Sequence, residues 1–275
     1  MVARRLYDGD MPLLDTPVRL GVQIQPQHHS SYSAMRDAAQ RCEDMGVDIL
    51  FNWDHFVPLT GDPDGTHFEA WTVLAAWAEQ TERIELGTLV NCNAYRNADL
   101  QADMARTIDH ISARDGEGRF LFATGSGWFE RDFDEYGYEF GTAGSRLDAL
   151  ADALPRIEAR WEVLNPAPTR RIPVMIGGAG EKKTLRLVAR HADIWHSFAG
   201  PDTLPHKLDV ISRWADTDGN DASRLVISNE LRGKGVEEAD ALYDAGVRLF
   251  TLGVSGDDVD LDAIQRWLDW RDSKN

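Results

Sequence analysis

Short apolar runs alternate along this chain with stretches in which apolar residues return every third or fourth position. The runs are VRLGVQ (18–23), DILFNW (48–53), IELGTLVN (84–91), FLFAT (120–124), IPVMI (172–176), ADIWHSF (192–198), LVISNEL (225–231) and RLFTLGV (248–254). Their length and their β-branched and aromatic content predict buried strands. Between them, Met35, Ala38, Ala39 and Cys42 share one helical face, and Leu147, Leu150, Leu154, Ile157 and Trp161 form a 3-4-3-4 stripe. Further helices are expected around Trp71–Ala78, Leu100–Ile111, Leu185–Val188, Leu204–Trp214, Val236–Leu242 and Leu261–Leu268.

Eight strand–helix alternations with no Pro/Gly/Ser-rich linker predict an α/β protein, a (β/α)8 TIM barrel, as a single domain over 1–275. Residues 1–16 read as a loose N-terminal arm. In such barrels the chemistry gathers at the C-terminal ends of the strands.

Composition narrows the partner. Lys+Arg 29 against Asp+Glu 46 leaves −17, which opposes a nucleic-acid or anionic-membrane surface and favours a small-molecule substrate. With 43% hydrophobic residues the chain can bury a substantial core. Cys42 and Cys92 make neither a disulfide framework nor a zinc spacing, and no long apolar segment predicts a signal peptide or membrane span, so a cytoplasmic location is expected. The apolar residues Trp71, Leu74 and Trp77 suggest a homodimer surface.

The strand at 172–176 ends in Gly177-Gly178-Ala179-Gly180 and passes directly into a helix carrying Leu185 and Val188. Glycines allow close backbone approach, and the first turn of a helix offers unpaired N–H groups and partial positive charge, so this turn suits a phosphate. Read alone, it is equally a tight strand-to-helix connection. Lys182, Lys183 and Arg186 add local positive charge.

The other strand ends collect Gln23, Gln25, His28 and His29; Asp54 and His55; Asn91, Cys92, Asn93 and Tyr95; Gly125 to Trp128; His196; and Asn229 with Glu230. No nucleophile elbow and no HExxH spacing stands among them, which weakens hydrolase and metalloenzyme readings.

FNWDHF (51–56), IELGTLVNCNAYRN (84–97), GSGWFERDFDEYGYEFGTAGSR (125–146), IPVMIGGAGEKKTLRLVARHADIW (172–195) and AGVRLFTLGV (245–254), taken in order, resemble the luciferase-like monooxygenase superfamily. They are most similar to its branch of oxidoreductases that use the deazaflavin coenzyme F420. The resemblance runs from about residue 18 to the end. It implies a barrel that binds a flavin-type cofactor at the strand C-termini and moves a hydride between the cofactor ring and an organic substrate. FMN, in a monooxygenase, is the alternative cofactor, and a flavin-binding protein without turnover is a third reading.

Carried onto this sequence, the resemblance makes Gly177, Gly178, Ala179 and Gly180 the phosphate grip. Leu89-Val90 falls where relatives often carry a non-prolyl cis peptide beside the ring, followed by Asn91 and Cys92 near the cofactor. Asp54 and His55 match an acid–histidine pair that contacts the ring, with His55 the base in alcohol-oxidising members. Gly125, Gly127 and Trp128 match a Gly-x-Gly-Trp in which small residues admit the cofactor and the tryptophan borders the substrate. The aromatic and acidic segment behind it, Phe129 to Phe140, is expected to be a long loop, serving as a lid or packing over the barrel mouth. Only Glu162 to Arg171 stand where larger relatives carry a substrate-pocket insertion.

Overall fold

The computed structural model describes residues 16–275, so the arm read at the N-terminus lies outside it apart from Thr16. Nine strands occur among the described residues: β1 (Arg19–Ile24), β2 (Ile49–Asn52), β3 (Glu85–Thr88), β4 (Asn91–Cys92), β5 (Phe120–Gly125), β6 (Val174–Gly177), β7 (Ile194–Ser197), β8 (Val226–Glu230) and β9 (Val247–Val254). Their order in the sheet is β3-β2-β1-β9-β8-β7-β6-β5-β4, with β3 also pairing β5. Since β3 and β4 are two pieces of one expected strand, 84–91, this is the eight-stranded parallel (β/α)8 barrel. The chain packs as two compact units, described in turn.

The first unit comprises Val22–Ile172 with Gly253–Asp260. Here β2 pairs in parallel with β3, Ile49 opposite Glu85, and β5 pairs with both β3 and β4. Gly87 is required where β3 meets β5, because a Cβ there would stand 2.8 Å from the Leu121 carbonyl oxygen. Buried Glu43 accepts the backbone N–H groups of Glu82, Arg83 and Ile84 and so anchors the entry to β3.

Helix α1 (Tyr32–Met45) starts at Ser31, whose side chain accepts from Ala34 N, and stops at Gly46 in the left-handed region. Helix α2 (Ala70–Gln80) is capped by Glu69 and α3 (Ala98–Ile111) by Asn97. Trp71, Leu74 and Trp77 of α2 are all buried in the chain's own core. These three side chains are thus covered within the chain itself, while Leu100 of α3 is 46% exposed nearby.

The long loop expected after β5 is instead a helix, α4 (Glu130–Tyr136), which buries Asp132 and Phe133 and ends at Gly137 in the left-handed region. Its acids alternate with aromatics in a way that conceals the helical period from the sequence. Arg146, in the first turn of α5 (Ala143–Val163), ties the segment down by donating to the carbonyls of Gly127 and Phe140. Phe133 joins Cys92 and Tyr95 in a buried cluster covered by Phe56, Tyr138 and Phe140. Asp132 and Phe133 anchor the segment to the core, while Glu130, Asp134, Glu135, Tyr136 and Glu139 remain exposed.

The second unit comprises Pro173–Leu252 and Leu261–Asn275 with the first half of β1. Strands β6, β7, β8 and β9 pair in parallel in sequence order. Helices α6 (Thr184–His191), α7 (Leu204–Asp218), α8 (Val236–Asp244) and α9 (Leu261–Asp272) follow them in turn. Asp193 accepts Val174 N–H at 2.8 Å and aligns the β6 and β7 entries. At the other end of the sequence, the Asn275 amide bonds both backbone groups of Val18.

Candidate active site

Within the first unit, β2 runs out into Asp54 and His55, and the two side chains part company. Asp54 is buried, and its carboxylate accepts Cys92 N–H at 3.0 Å and both ends of the Arg96 guanidinium at 2.7 and 3.1 Å. Burial raises its pKa above the ordinary value, opposed by Arg96 and the Cys92 N–H. Arg96 in turn reaches Glu69, the cap of α2, at 2.8 Å. Asp54 is thus the knot of a structural network and is not the partner of His55.

The partner of His55 is Asp132. His55 Nδ1 lies 2.6 Å from Asp132 Oδ2, while Phe56 N–H donates to Oδ1 at 3.0 Å and the Tyr95 hydroxyl to Oδ2 at 3.0 Å. Asp132 is fully buried and accepts from three donors, so an ionised carboxylate is what the site satisfies. That requires the proton of neutral His55 on Nδ1 and leaves Nε2 as the acceptor. Among the described residues Nε2 makes no protein hydrogen bond. The rings of Trp53, Phe129 and Trp128 stand edge-on to the imidazole at 5.6–5.9 Å. Trp128 is 65% exposed.

Nothing in the sequence distinguished Asp132 from Glu130, Asp134 and Glu135, since its role depends on burial and on a contact 77 residues away. Tyr95 stood among the strand-end residues but without a role.

The Leu89-Val90 peptide is cis, as the resemblance implied. Gln23 Nε2 donates to the Leu89 carbonyl at 2.6 Å, and both Leu89 and Val90 are half-buried. Asn91 is buried, and its amide is taken up by Trp71, Gln101 and Thr124. Cys92 is buried, which pushes its thiol up to about 12, so it stays protonated and is no nucleophile. Its sulfur fills the space beside Gly127, where an added Cβ would stand 2.6 Å from Sγ. With φ +80° as well, Gly127 is fixed by packing against Cys92. Gly125 closes β5 opposite Cys92. His28 and His29 serve structure: His28 holds Thr60 O and fills the space beside Gly61 and Gly65, and His29 is buried against Gln25 O.

In the second unit, Gly177-Gly178-Ala179-Gly180 forms the turn between β6 and α6. Gly178 has φ +119°, and Cβ atoms on Gly178 and Gly180 would meet Thr184 at 3.1 and 3.0 Å. The turn is therefore moulded onto the first residue of α6. That helix has no side-chain cap, and of its first-turn N–H groups that of Leu185 donates to Gly180 O at 3.0 Å, so an oxyanion could use only the others. The expected basic cluster is partly spent elsewhere. Arg186 is paired with Asp218 at 2.9 and 3.0 Å, beside Arg190, and these two guanidiniums hold the Asp218 carboxyl well below its usual range. Lys207, which the sequence reading passed over, reaches Ala179 O at 3.2 Å and Glu181 at 2.6 Å. His196 is buried against Ser228 Oγ at 2.9 Å and is driven down to about 4 by burial, so it is neutral at physiological pH.

The strand order defines the class as a (β/α)8 barrel, and comparison with known proteins gives the family. A sequence model of the luciferase-like monooxygenase family matches residues 16–247, and the chain belongs to that family. An uncharacterised protein of Mycobacterium tuberculosis is 29% identical over 176 residues, 56% of this chain and 58% of its own length. A second protein of that organism, provisionally named a coenzyme F420-dependent oxidoreductase, is 28% identical over 73% of this chain and 56% of its own length. The chain thus spans somewhat over half the length of these relatives. Among solved structures, an F420-dependent secondary alcohol dehydrogenase in complex with an F420-acetone adduct superposes with a TM-score of 0.79 at 18% identity, covering 92% of this chain and 98% of its own. Other solved structures of this fold carry FMN in their names.

Proposed function

We propose that this chain is an F420-dependent oxidoreductase that transfers a hydride between the deazaflavin and a small alcohol or carbonyl compound. The observation that carries this reading is His55, held through Nδ1 by Asp132 with Nε2 unengaged and aromatic rings around it. The F420-related names among its relatives support the choice of cofactor.

The residues suit such a cofactor. Within the first unit, the Leu89-Val90 peptide, half-buried and held by Gln23, would border the ring; taken by itself, the Gly177–Gly180 turn of the second unit is the kind of backbone that suits a phosphate group. When bound, F420 would supply a two-electron hydride acceptor or donor. The chain supplies the proton chemistry. His55 Nε2 accepts the hydroxyl proton of an alcohol as its carbinol carbon is oxidised, and returns it when a carbonyl is reduced. Asp132 faces the positive charge that His55 then carries. Trp128 and Phe129, edge-on to the imidazole, would give the substrate an apolar wall.

A paired fluorescence or calorimetric titration with F420 and FMN tests the cofactor. Micromolar or tighter F420 binding is expected. FMN binding much more tightly would replace this reading with an FMN monooxygenase, and binding of neither would sink both.

A further inference from the structure

His55 is reached by two buried groups that touch neither substrate nor cofactor in the reading above, and they meet on one oxygen. Asp132 Oδ2 receives His55 Nδ1 at 2.6 Å and the Tyr95 hydroxyl at 3.0 Å, while Oδ1 is held by Phe56 N–H. We propose that Asp132 and Tyr95 act together as positioning residues. Asp132 fixes the His55 tautomer with Nε2 open, and Tyr95 tempers the charge that Asp132 presents, setting how readily His55 takes a proton. This rests on the reading of His55 as the proton-handling group.

The chemistry balances within these groups. When Nε2 gains the substrate proton, Nδ1 keeps its own, and the resulting imidazolium lies against a carboxylate in a site of low dielectric. Unshared, a buried carboxylate at 2.6 Å would hold that proton strongly and slow its return. A phenol donating to the same oxygen withdraws part of its charge. Tyr95 keeps its proton for this task, because burial, with Cys92 and Asp132 beside it, drives its ionisation far above the ordinary value.

Other ionisable groups near His55 do not substitute for the pair. His67, from the loop before α2, accepts the Trp53 ring N–H at 3.1 Å and is pushed down to about 4, chiefly by burial, so it is neutral. Cys92 stays protonated, and Asp54, next to His55 in sequence, is committed to Arg96. From α4 the facing acid is Asp132 itself, and the remaining ring contacts of His55 are Trp53, Trp128 and Phe129.

The test is nitrogen NMR of the His55 ring across pH in the cofactor-free protein, for wild type, Asp132→Asn and Tyr95→Phe. Wild type should show the neutral ring protonated on Nδ1. In Asp132→Asn that preference should be lost or reversed, and the titration midpoint should fall by about one pH unit or more. In Tyr95→Phe the tautomer should persist and the midpoint should rise. An unchanged tautomer and midpoint in Asp132→Asn, or an unchanged or lower midpoint in Tyr95→Phe, overturns the proposal. Should Asp132→Asn not fold, Tyr95→Phe decides alone. With F420 turnover in hand, Asp132→Asn should lower kcat about a hundredfold with KM little changed, and Asp132→Glu should restore part of it. Failure to turn over F420 would remove the oxidoreductase reading and leave the NMR result standing.

Discussion

The glycine turn at Gly177–Gly180 and the His55 site show two ways of building a functional place. In the turn, the contacts that require the glycines are local, Gly178 and Gly180 leaning on Thr184 at the start of α6, while Trp195 and Lys207 hold the carbonyls of Gly178 and Ala179 from further along the chain. At His55 the deciding contacts come from Asp132 and Tyr95, 77 and 40 residues along the chain, and Gly127 is set by Cys92. Local geometry is written in adjacent residue types. A tertiary dyad is written only in which acid happens to be buried.

That contrast should show in mutation. The largest effect is expected at Gly127→Ala, which adds a methyl 2.6 Å from Cys92 Sγ at φ +80°; chemical denaturation should show a loss of about 3 kcal/mol. Cys92→Ala in the same chain should recover part of it. A strictly additive double mutant would show that the two residues do not meet, and would weaken the long-range half of the comparison. Gly178→Ala should cost less, about 1 to 2 kcal/mol, since the obstacle is a Thr184 methyl at 3.1 Å together with the positive φ. Thr184→Ser removes that methyl and should soften the loss, as a local clash requires.

Acid should affect both regions alike. His67 and His196 have folded pKa values lowered to about 4 by burial, against about 6.5 when unfolded. The unfolded chain binds their protons first, so their contribution to stability is complete above about pH 6.5 and drains away as pH falls towards 4. Thermal unfolding followed across this window should decline, and His196→Gln should flatten the decline. A slope identical to wild type would place the acid sensitivity elsewhere.

The smallest effect is expected for Arg186→Gln. Asp218, lowered chiefly by its hydrogen bonds to Arg186 and Arg190, favours the folded state above the usual carboxylate pKa and loses that benefit as pH falls. Losing Arg186 should move acid unfolding slightly to higher pH and leave F420 affinity within about twofold, since the guanidinium is engaged with Asp218. A large drop in F420 affinity would return Arg186 to the basic patch read from the sequence.

Much of the fold was legible because strand and helix periods repeat with little interruption. The departures have physical causes. The expected strand 84–91 is broken at Leu89-Val90, and α4 is disguised because it buries one acid, Asp132, beside Phe133 and exposes the aromatic Tyr136, so no apolar helical stripe stands out. Trp71, Leu74 and Trp77 looked like a surface because apolar spacing marks a face without saying whether the core or a partner covers it. Asp54 drew attention by standing beside His55 in sequence, yet successive side chains at a strand end point apart, and it was Arg96 that claimed it.

The central claim, that His55 handles the proton in F420-linked hydride transfer, is tested most directly by following F420 fluorescence as purified protein meets a panel of secondary alcohols and ketones. Wild type should reduce or oxidise F420 with at least one of them. His55→Ala should bind F420 nearly as well and turn over at least a hundredfold more slowly. Undiminished turnover in His55→Ala would contradict the account.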